Sequence, residues 1–185
     1  MICSKPDRRA PAAEGNNTDM GTSESEIVFS KEPFSFLDGE ERALFMENVR
    51  LFTFASGEIL IRGGEMGNMV YFIVRGECGV FLPPPAPAAS PVARLVPGDF
   101  FGEMAMLANV KRTATVKTLT EVRVAAMDSQ KFKKLFMTNP RIVKGLDAYY
   151  KKRQGELNLF KKRVADMESR PEQGLWQKIR KMFGL

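Results

Sequence analysis

Short runs of β-branched and aromatic residues fill the stretch from Leu51 to Met127, and glycines separate them. The runs are LFTFA, EILIR, MVYFIVR, CGVFL, ARLV and VRVAAM, and the glycines include Gly57, Gly63, Gly64, Gly67, Gly76 and Gly98. Runs of this composition, bounded by glycine turns, are typical of β-strands. Several short strands at this spacing predict an antiparallel β-barrel or jelly roll.

Helical patterns flank the strands on both sides. Asp38 and Glu41 have the spacing of a capping box, and the apolar residues around them predict a short amphipathic helix. Beyond the strands, the pattern predicts a short helix over Lys131–Met137, ended near Asn139-Pro140, and a longer helix from about 141 to 168. The predicted fold class is α+β: an antiparallel barrel or jelly roll with a short N-terminal helix and long C-terminal helices.

The same patterns divide the chain into four segments. Residues 1–32 mix Ser, Thr, Asn, Pro and charge without periodicity, which predicts a disordered tail. The barrel is expected over 33–140, the long helix over 141–170 and a basic amphipathic helix over 171–185. Within the barrel, the proline-rich segment 83–91 cannot pair as a central strand, so it is expected to be an exposed loop.

The long helix carries apolar residues in steps of three and four, with one arginine among them. These are Val143, Leu146, Tyr150, Arg153, Leu157, Phe160, Val164 and Met167. Such a seam can pack on the chain's own barrel or on a second copy. Because a helix of this length would extend past a small barrel, the pattern favours a homodimer.

The composition excludes several classes of chemistry. The 185-residue chain contains no histidine, which removes histidine general acid–base catalysis, Ser–His and Cys–His nucleophiles and imidazole metal sites. Two cysteines, Cys3 and Cys78, cannot form a metal cluster by themselves, and they are expected to be reduced. We therefore predict neither an enzyme nor a bound metal or cofactor.

No segment has the pattern of a secretory signal, and none approaches the roughly 18 apolar residues of a membrane span. With reduced thiols, this predicts a cytoplasmic protein. The net charge of +6 lies in residues 151–185, which contain ten basic and four acidic residues. In 171–185 the apolar residues Leu175, Trp176, Ile179, Met182 and Phe183 would share one helical face. That face could dock on the barrel or a dimer mate, on a partner protein, or on a membrane surface.

The segment 98–116 holds the residues with the clearest chemistry. Gly102 allows the backbone to approach a ligand, and EMAML after it has the composition of one helical turn, whose free N–H groups suit a phosphate. Arg112 can loop back to the same anion, whereas Glu103 repels it and would instead accept from a sugar hydroxyl. Thr113 and Thr115 add hydroxyl groups nearby. An arbitrary spacing of this kind could also give only a surface ion pair.

The string F-G-E-M-A-M-L-x4-R-T-A-T-V resembles the phosphate-binding cassette of the cyclic-nucleotide-binding domain family. This family includes the regulatory subunits of cAMP-dependent kinase, cGMP-dependent kinase, cyclic-nucleotide-gated channels and the bacterial catabolite activator. Upstream, SGEILIRGGEMGNMVYFIVRGE is similar to the family's early strands and glycine turns. The resemblance covers about residues 34–168. It implies a jelly roll that binds cAMP or cGMP.

The resemblance also implies roles for individual residues. Glu103 would accept the ribose 2′-hydroxyl and Arg112 would neutralise the cyclic phosphate. Supporting contacts would come from Gly102, Met104, Ala105, Thr113 and Ala114, and the purine walls would be Val70, Val92 and Leu95. The base cap would come from the long helix at Arg153, Leu157 and Asn158, or one turn away at Tyr149 or Phe160.

These expectations combine into a stand-alone receptor that relays ligand binding through its C-terminal helix to an effector protein. Thr113 directly after the arginine resembles the R-T-A pattern of cGMP-dependent kinase and the gated channels, which favours cGMP over cAMP, although cAMP-preferring channels also have threonine there. Only about 15 residues follow Arg170, which is too few for a helix-turn-helix domain, so we expect no specific DNA partner. The alternative is a protein-interaction scaffold that keeps the fold without the ligand.

Overall fold

The computed structural model describes residues 20–82, 91–108, 110–137 and 139–168. It contains two four-stranded antiparallel sheets, with strand orders β1-β8-β3-β6 and β2-β7-β4-β5. The strands are β1 Arg50–Phe54, β2 Ile59–Ile61, β3 Met69–Arg75, β4 Cys78–Phe81, β5 Ala93–Leu95, β6 Phe100–Phe101, β7 Thr115–Thr118 and β8 Val122–Asp128. This is the predicted jelly roll, so the expected α+β class is confirmed.

Five helices accompany the sheets: α1 Thr22–Val28, α2 Gly39–Asn48, α3 Glu103–Ala108, α4 Ser129–Phe136 and α5 Pro140–Glu168. The predicted capping box at the start of α2 is present. The Glu41 N–H donates to Asp38 Oδ1 at 2.9 Å, and the Asp38 N–H donates to Glu41 Oε2 at 3.1 Å. Asp128 caps α4 in the same manner, with Oδ1 accepting from the N–H groups of Gln130 and Lys131.

An aromatic cluster joins the helices to the β1-β8-β3-β6 sheet. The Phe34 ring, in a short 3₁₀ turn, lies 4.9 Å from the rings of both Phe72 and Phe100. It also meets Phe132 of α4 edge-on at 5.9 Å, and Phe45 of α2 at 6.5 Å. Edge-to-face packing of this kind adds to the hydrophobic stabilisation of a core. The cluster therefore fixes which face of β3 is turned towards the helices.

The prediction of a disordered tail up to residue 32 is wrong for its last part. Residues 22–28 form α1, Met20 is 5% exposed, and Val28 and Phe29 are buried. The Phe29 ring meets Phe45 edge-on at 5.3 Å. The α1 residues before Ile27 are polar, so the sequence shows no apolar periodicity that would predict α1. The helix contacts apolar residues only in the folded domain. Residues 1–19 lie outside the described residues, as do 83–90 of the expected loop.

The chain forms two compact units that divide between Ala148 and Tyr149. The first turns of α5 belong to the first unit, where Ile142 and Leu146 are buried. These turns pack on the chain's own domain, so the ordered domain extends past the expected boundary at 140. The Leu157, Phe160, Val164 and Met167 side chains of the seam lie outside the described residues, and the homodimer stays a prediction.

Across the part of the chain that the structure describes, no helix is both long and apolar enough to traverse a membrane. The basic segment 171–185 lies outside the described residues, so its predicted amphipathic helix stays a prediction.

Candidate ligand-binding site

Glu103 and Arg112 are buried charged residues at the junction between β6 and β7. Glu103 opens α3 directly after the Gly102 turn and is 2% exposed, and Arg112 is 7% exposed. A surface ion pair would be largely exposed, so that interpretation of the spacing does not fit. Charged groups this deeply buried require polar partners or a ligand.

The guanidinium of Arg112 is held between two strands by backbone carbonyls. Its Nη1 donates to the Gly102 carbonyl and its Nη2 to the Met69 carbonyl, both at 2.8 Å. The Arg112 backbone is tied to the β2–β3 loop, since its N–H donates to Glu65 O at 2.9 Å and its carbonyl accepts from Gly64 N at 2.8 Å. The loop, the start of β3 and the β6–α3 turn therefore meet at this one side chain.

Two glycines make room for the guanidinium. A Cβ on Gly67 would lie 2.5 Å from Arg112 Nε. A Cβ on Gly102 would lie 2.7 Å from the Met69 carbonyl oxygen and 2.8 Å from Arg112 Nη1, and Gly102 has a φ of +93°. At both positions a side chain would displace the arginine, and at Gly102 it would also strain the backbone.

The other cassette residues surround this pair. Thr113 is exposed, and its hydroxyl donates to the Met104 sulfur at 3.8 Å. Ala105 and Ala114 are buried. The Thr115 hydroxyl accepts from Gly63 N at 3.0 Å, so it supports the β2–β3 loop. Gly102, Met104 and Ala105 thus adjoin Glu103 at the start of α3, and Thr113 and Ala114 directly follow Arg112. Their ligand contacts stay predictions.

The three predicted purine walls are separated by the strand geometry. Val70 alternates with Phe72, so it lies on the face of β3 that carries the aromatic cluster and the helices. That is the wrong face for a wall beside Arg112. Leu95 is buried on β5, paired with Cys78 of β4, and Val92 is half-buried with its N–H donating to Val80 O at 2.7 Å.

Tyr71, and not Val70, lies beside Arg112. Its ring stacks on Phe101 at 5.1 Å and 14°, on the face of β3 opposite Phe72. It lines one cleft with Arg112, Gly67 and Met69, whereas Glu103 and the two β4–β5 residues named as walls do not line this cleft. The run MVYFIVR has aromatic residues at the adjacent positions 71 and 72, so the sequence contains no signal for which of them faces Arg112.

The Cys78 thiol lies in the apolar interior beside Leu95. Burial raises the pKa of Cys78 from 9.0 to about 12. The thiol is therefore neutral at physiological pH and behaves as a small apolar side chain.

The predicted base cap lies in the second unit. There, Arg153 Nη2 donates to the Tyr149 hydroxyl, and the guanidinium sits 4.8 Å above the Tyr149 ring. Asn158 is exposed, and the Leu157 and Phe160 side chains lie outside the described residues. A base-capping role for Arg153, Leu157 and Asn158 stays a prediction.

A hydrogen-bond chain leads from Arg112 to α4. Met69, whose carbonyl accepts from the guanidinium, follows Asn68, and the Asn68 carbonyl accepts from Ser129 N at 2.7 Å. The Asn68 side-chain amide also donates to Asp128 Oδ2 at 3.2 Å. Asp128 caps α4. The contacts of Met69 and Asn68 therefore connect Arg112 to the start of this helix.

The family model described as cyclic nucleotide-binding domain matches residues 51–139, the stretch that contains β1 to β8 and both buried charges. These residues form a cyclic nucleotide-binding domain. The match covers both sheets, and the fold agrees with that of known members: the solved structure of cAMP-bound PfPKA-R is similar with 26% identity and a TM-score of 0.61, over 72% of this chain and 46% of that chain.

Two curated relatives are similar in sequence to this cyclic nucleotide-binding domain. The cAMP-dependent protein kinase regulatory subunit of Schizosaccharomyces pombe is 32% identical over 123 residues, 63% of this chain and 29% of the relative. A cyclic nucleotide-gated potassium channel of Mesorhizobium japonicum is 35% identical over 103 residues, 54% of this chain and 27% of the relative. The chain spans about a quarter to a third of the length of the curated relatives it matches.

The glycine at 67 gives a sharp test of the site. We expect Gly67→Ala to push the Arg112 guanidinium away from its carbonyl partners, because the new methyl group would lie 2.5 Å from Nε. Overpacking of this kind costs about 1–3 kcal/mol, and we expect a loss of that size in cyclic nucleotide affinity, measured by isothermal titration calorimetry.

The matched control for this prediction is Gly39→Ala at the start of α2, where a Cβ meets nothing within 4 Å. Its affinity should equal that of the wild type. Equal affinity for Gly67→Ala as well would show that the position of Arg112 does not govern binding.

Proposed function

We propose that this chain is a cyclic nucleotide receptor in which Arg112 binds the cyclic phosphate and Glu103 accepts the ribose hydroxyl. The observation that carries the proposal is the buried guanidinium, fixed by the Gly102 and Met69 carbonyls in a cradle of two glycines. A pre-positioned arginine loses little conformational freedom when it binds an anion. Glu103 is close along the chain and buried, which suits a neutral hydroxyl donor rather than the phosphate.

The two common cyclic nucleotides receive different support. The Schizosaccharomyces pombe relative is by name the regulatory subunit of a cAMP-dependent protein kinase, which favours cAMP. The exposed hydroxyl of Thr113, next to Arg112, favours cGMP, because it can reach the edge of a guanine. Titration with both ligands decides between them.

The receptor would relay binding through its C-terminal helices. A phosphate on Arg112 acts on the guanidinium that already holds the start of β3, and Asn68 there contacts the cap of α4. A small shift at Arg112 would change these contacts, and α4 leads within four residues into α5. The partner that we propose to respond to this change is an effector protein, or a second copy of the chain, bound at α5. We propose that the protein acts in the cytoplasm and that it catalyses no reaction.

A scaffold function without a ligand is the second candidate. The observation in its favour is that two nitrogens of Arg112 already donate to backbone carbonyls, so the charge has partners in the absence of a phosphate. In a scaffold, Arg112 would serve stability alone. The two candidates differ in whether a nucleotide binds at all.

Calorimetric titration with cAMP and cGMP tests the receptor proposal. We expect Arg112→Ala to weaken binding by about 2–5 kcal/mol, because it leaves the phosphate without its charged partner. Arg112→Lys should restore part of the loss, since lysine keeps the charge but not the planar fork. The control is Arg94→Ala, which removes an exposed arginine of β5 that pairs with Glu77.

Heat from neither ligand, with the wild type shown by circular dichroism to be folded, would contradict the receptor and favour the scaffold. Binding that is unchanged in both Arg112 variants would contradict the assigned phosphate contact.

Hydrogen exchange tests the relay. We expect nucleotide to change the exchange rates of amides in α4 and in residues 140–148. Asn68→Ala should reduce that change while leaving affinity nearly unchanged, because it removes the 3.2 Å contact to Asp128 and not the contacts of Arg112. Asn48→Ala, which removes a local contact to the Leu44 carbonyl of α2, is the matched control. Identical exchange in α4 with and without bound nucleotide would refute this route.

A further inference from the structure

The charge of the chain changes sign at the start of α4. Residues 1–128 contain 13 basic and 17 acidic residues, whereas residues 129–185 contain 15 basic and 5 acidic residues. The net charges of the two parts are therefore −4 and +10. Within the first compact unit, the excess of positive charge is therefore confined to its last elements, α4 and the start of α5.

Five of these basic residues lie in the first compact unit on the outer sides of α4 and the start of α5. We call them the α4–α5 basic surface: Lys131, Lys133, Lys134, Arg141 and Lys144, all exposed. The opposite sides of the two helices are buried through Phe132, Phe136, Ile142 and Leu146. No acidic residue occurs between 129 and 146, so the helices themselves supply no counter-charge there.

We propose that the α4–α5 basic surface docks on an anionic lipid membrane. Four of its five cations are lysines, which are compact, hydrated charges on flexible stems. They suit a fluid layer of lipid headgroups better than a site with fixed geometry, which usually selects arginine. Clusters of four to eight Lys and Arg on a helical surface are typical of binding to anionic lipids.

The rest of the first unit would orient the domain on such a surface. The parts of the chain before α4 carry the net negative charge, and an anionic membrane repels them. One acidic side chain of α2, which packs against α4, borders the basic surface, because Glu41 Oε1 accepts from Asn139 Nδ2 at 2.6 Å between α4 and α5. Docking through α4 and α5 therefore places the basic helices against the anionic membrane and keeps the net negative part of the unit away from it.

Sequence outside the described residues supplies a second contribution. Segment 171–185 contains Lys178, Arg180 and Lys181 with the apolar residues Trp176 and Phe183. Stable attachment of a peripheral protein usually needs two signals, of which a basic patch is one. The proposal concerns the folded surface, and it holds whether or not the domain binds a nucleotide.

The test is sedimentation of the full chain, without nucleotide, with phosphatidylcholine vesicles that contain or lack phosphatidylserine. We expect binding only to vesicles that contain phosphatidylserine, and weaker binding as salt is added. The triple variant Lys131→Gln, Lys133→Gln, Lys134→Gln should lower the partition coefficient on the order of 100-fold, at about fivefold per lysine.

The matched control removes the same charge from the sheets through Arg50→Gln, Arg75→Gln and Lys117→Gln, all at exposed positions. It should leave the partition coefficient nearly unchanged, and circular dichroism confirms that both variants are folded. Three results would overturn the proposal: equal loss in both variants, loss only when 171–185 is removed, or binding to single-stranded RNA or polyglutamate without binding to the phosphatidylserine vesicles.

Discussion

A buried guanidinium must be satisfied by hydrogen bonds, and in this domain that requirement falls on Arg112. Leaving such a charge without partners in the interior would cost several kcal/mol. The Gly102 and Met69 carbonyls meet the requirement at 2.8 Å each, and they come from the β6–α3 turn and from the start of β3. The arginine therefore fixes the distance between two loops that are far apart in sequence. Its guanidinium fits there because Gly67 and Gly102 have no side chains.

The same contacts join the ligand site to the helical layer. Met69 and Asn68 are neighbours at the start of β3, and Asn68 contacts both Asp128 and Ser129 at the start of α4. On the far side of the sheet, the Phe34 ring joins Phe72 of β3 to Phe132 of α4. The start of α4 is thus held by polar contacts from the site and by aromatic packing from the core, which gives a ligand at Arg112 a short physical route to the helices.

Much of this architecture could be predicted from the sequence, because it depends on patterns among residues that are close together in the chain. The β runs, the Asp38 capping box and the Glu103–Arg112 pair each depend on residues close together in the chain. What could not be predicted depends on tertiary neighbours. The helix α1 is polar in sequence, β6 is two residues long, and β7, with the sequence TVKT, consists of two threonines, a valine and a lysine.

The face of β3 shows the limit most clearly. The run MVYFIVR is apolar or aromatic from Met69 to Val74, so its composition does not tell which alternate residues point to the helices. Packing of Phe72 against Phe34 settles the question and places Tyr71, rather than Val70, beside Arg112. The role of Gly67 likewise could not be predicted from the sequence, since it depends on a side chain 45 positions away.

The most direct measurement is a crystal structure of the domain with a bound cyclic nucleotide. We expect a phosphate oxygen at about 2.7–2.9 Å from an Arg112 guanidinium nitrogen, with the ribose 2′-hydroxyl on Glu103. A nucleotide bound away from Arg112, with the guanidinium still donating to the Gly102 and Met69 carbonyls, would contradict the account.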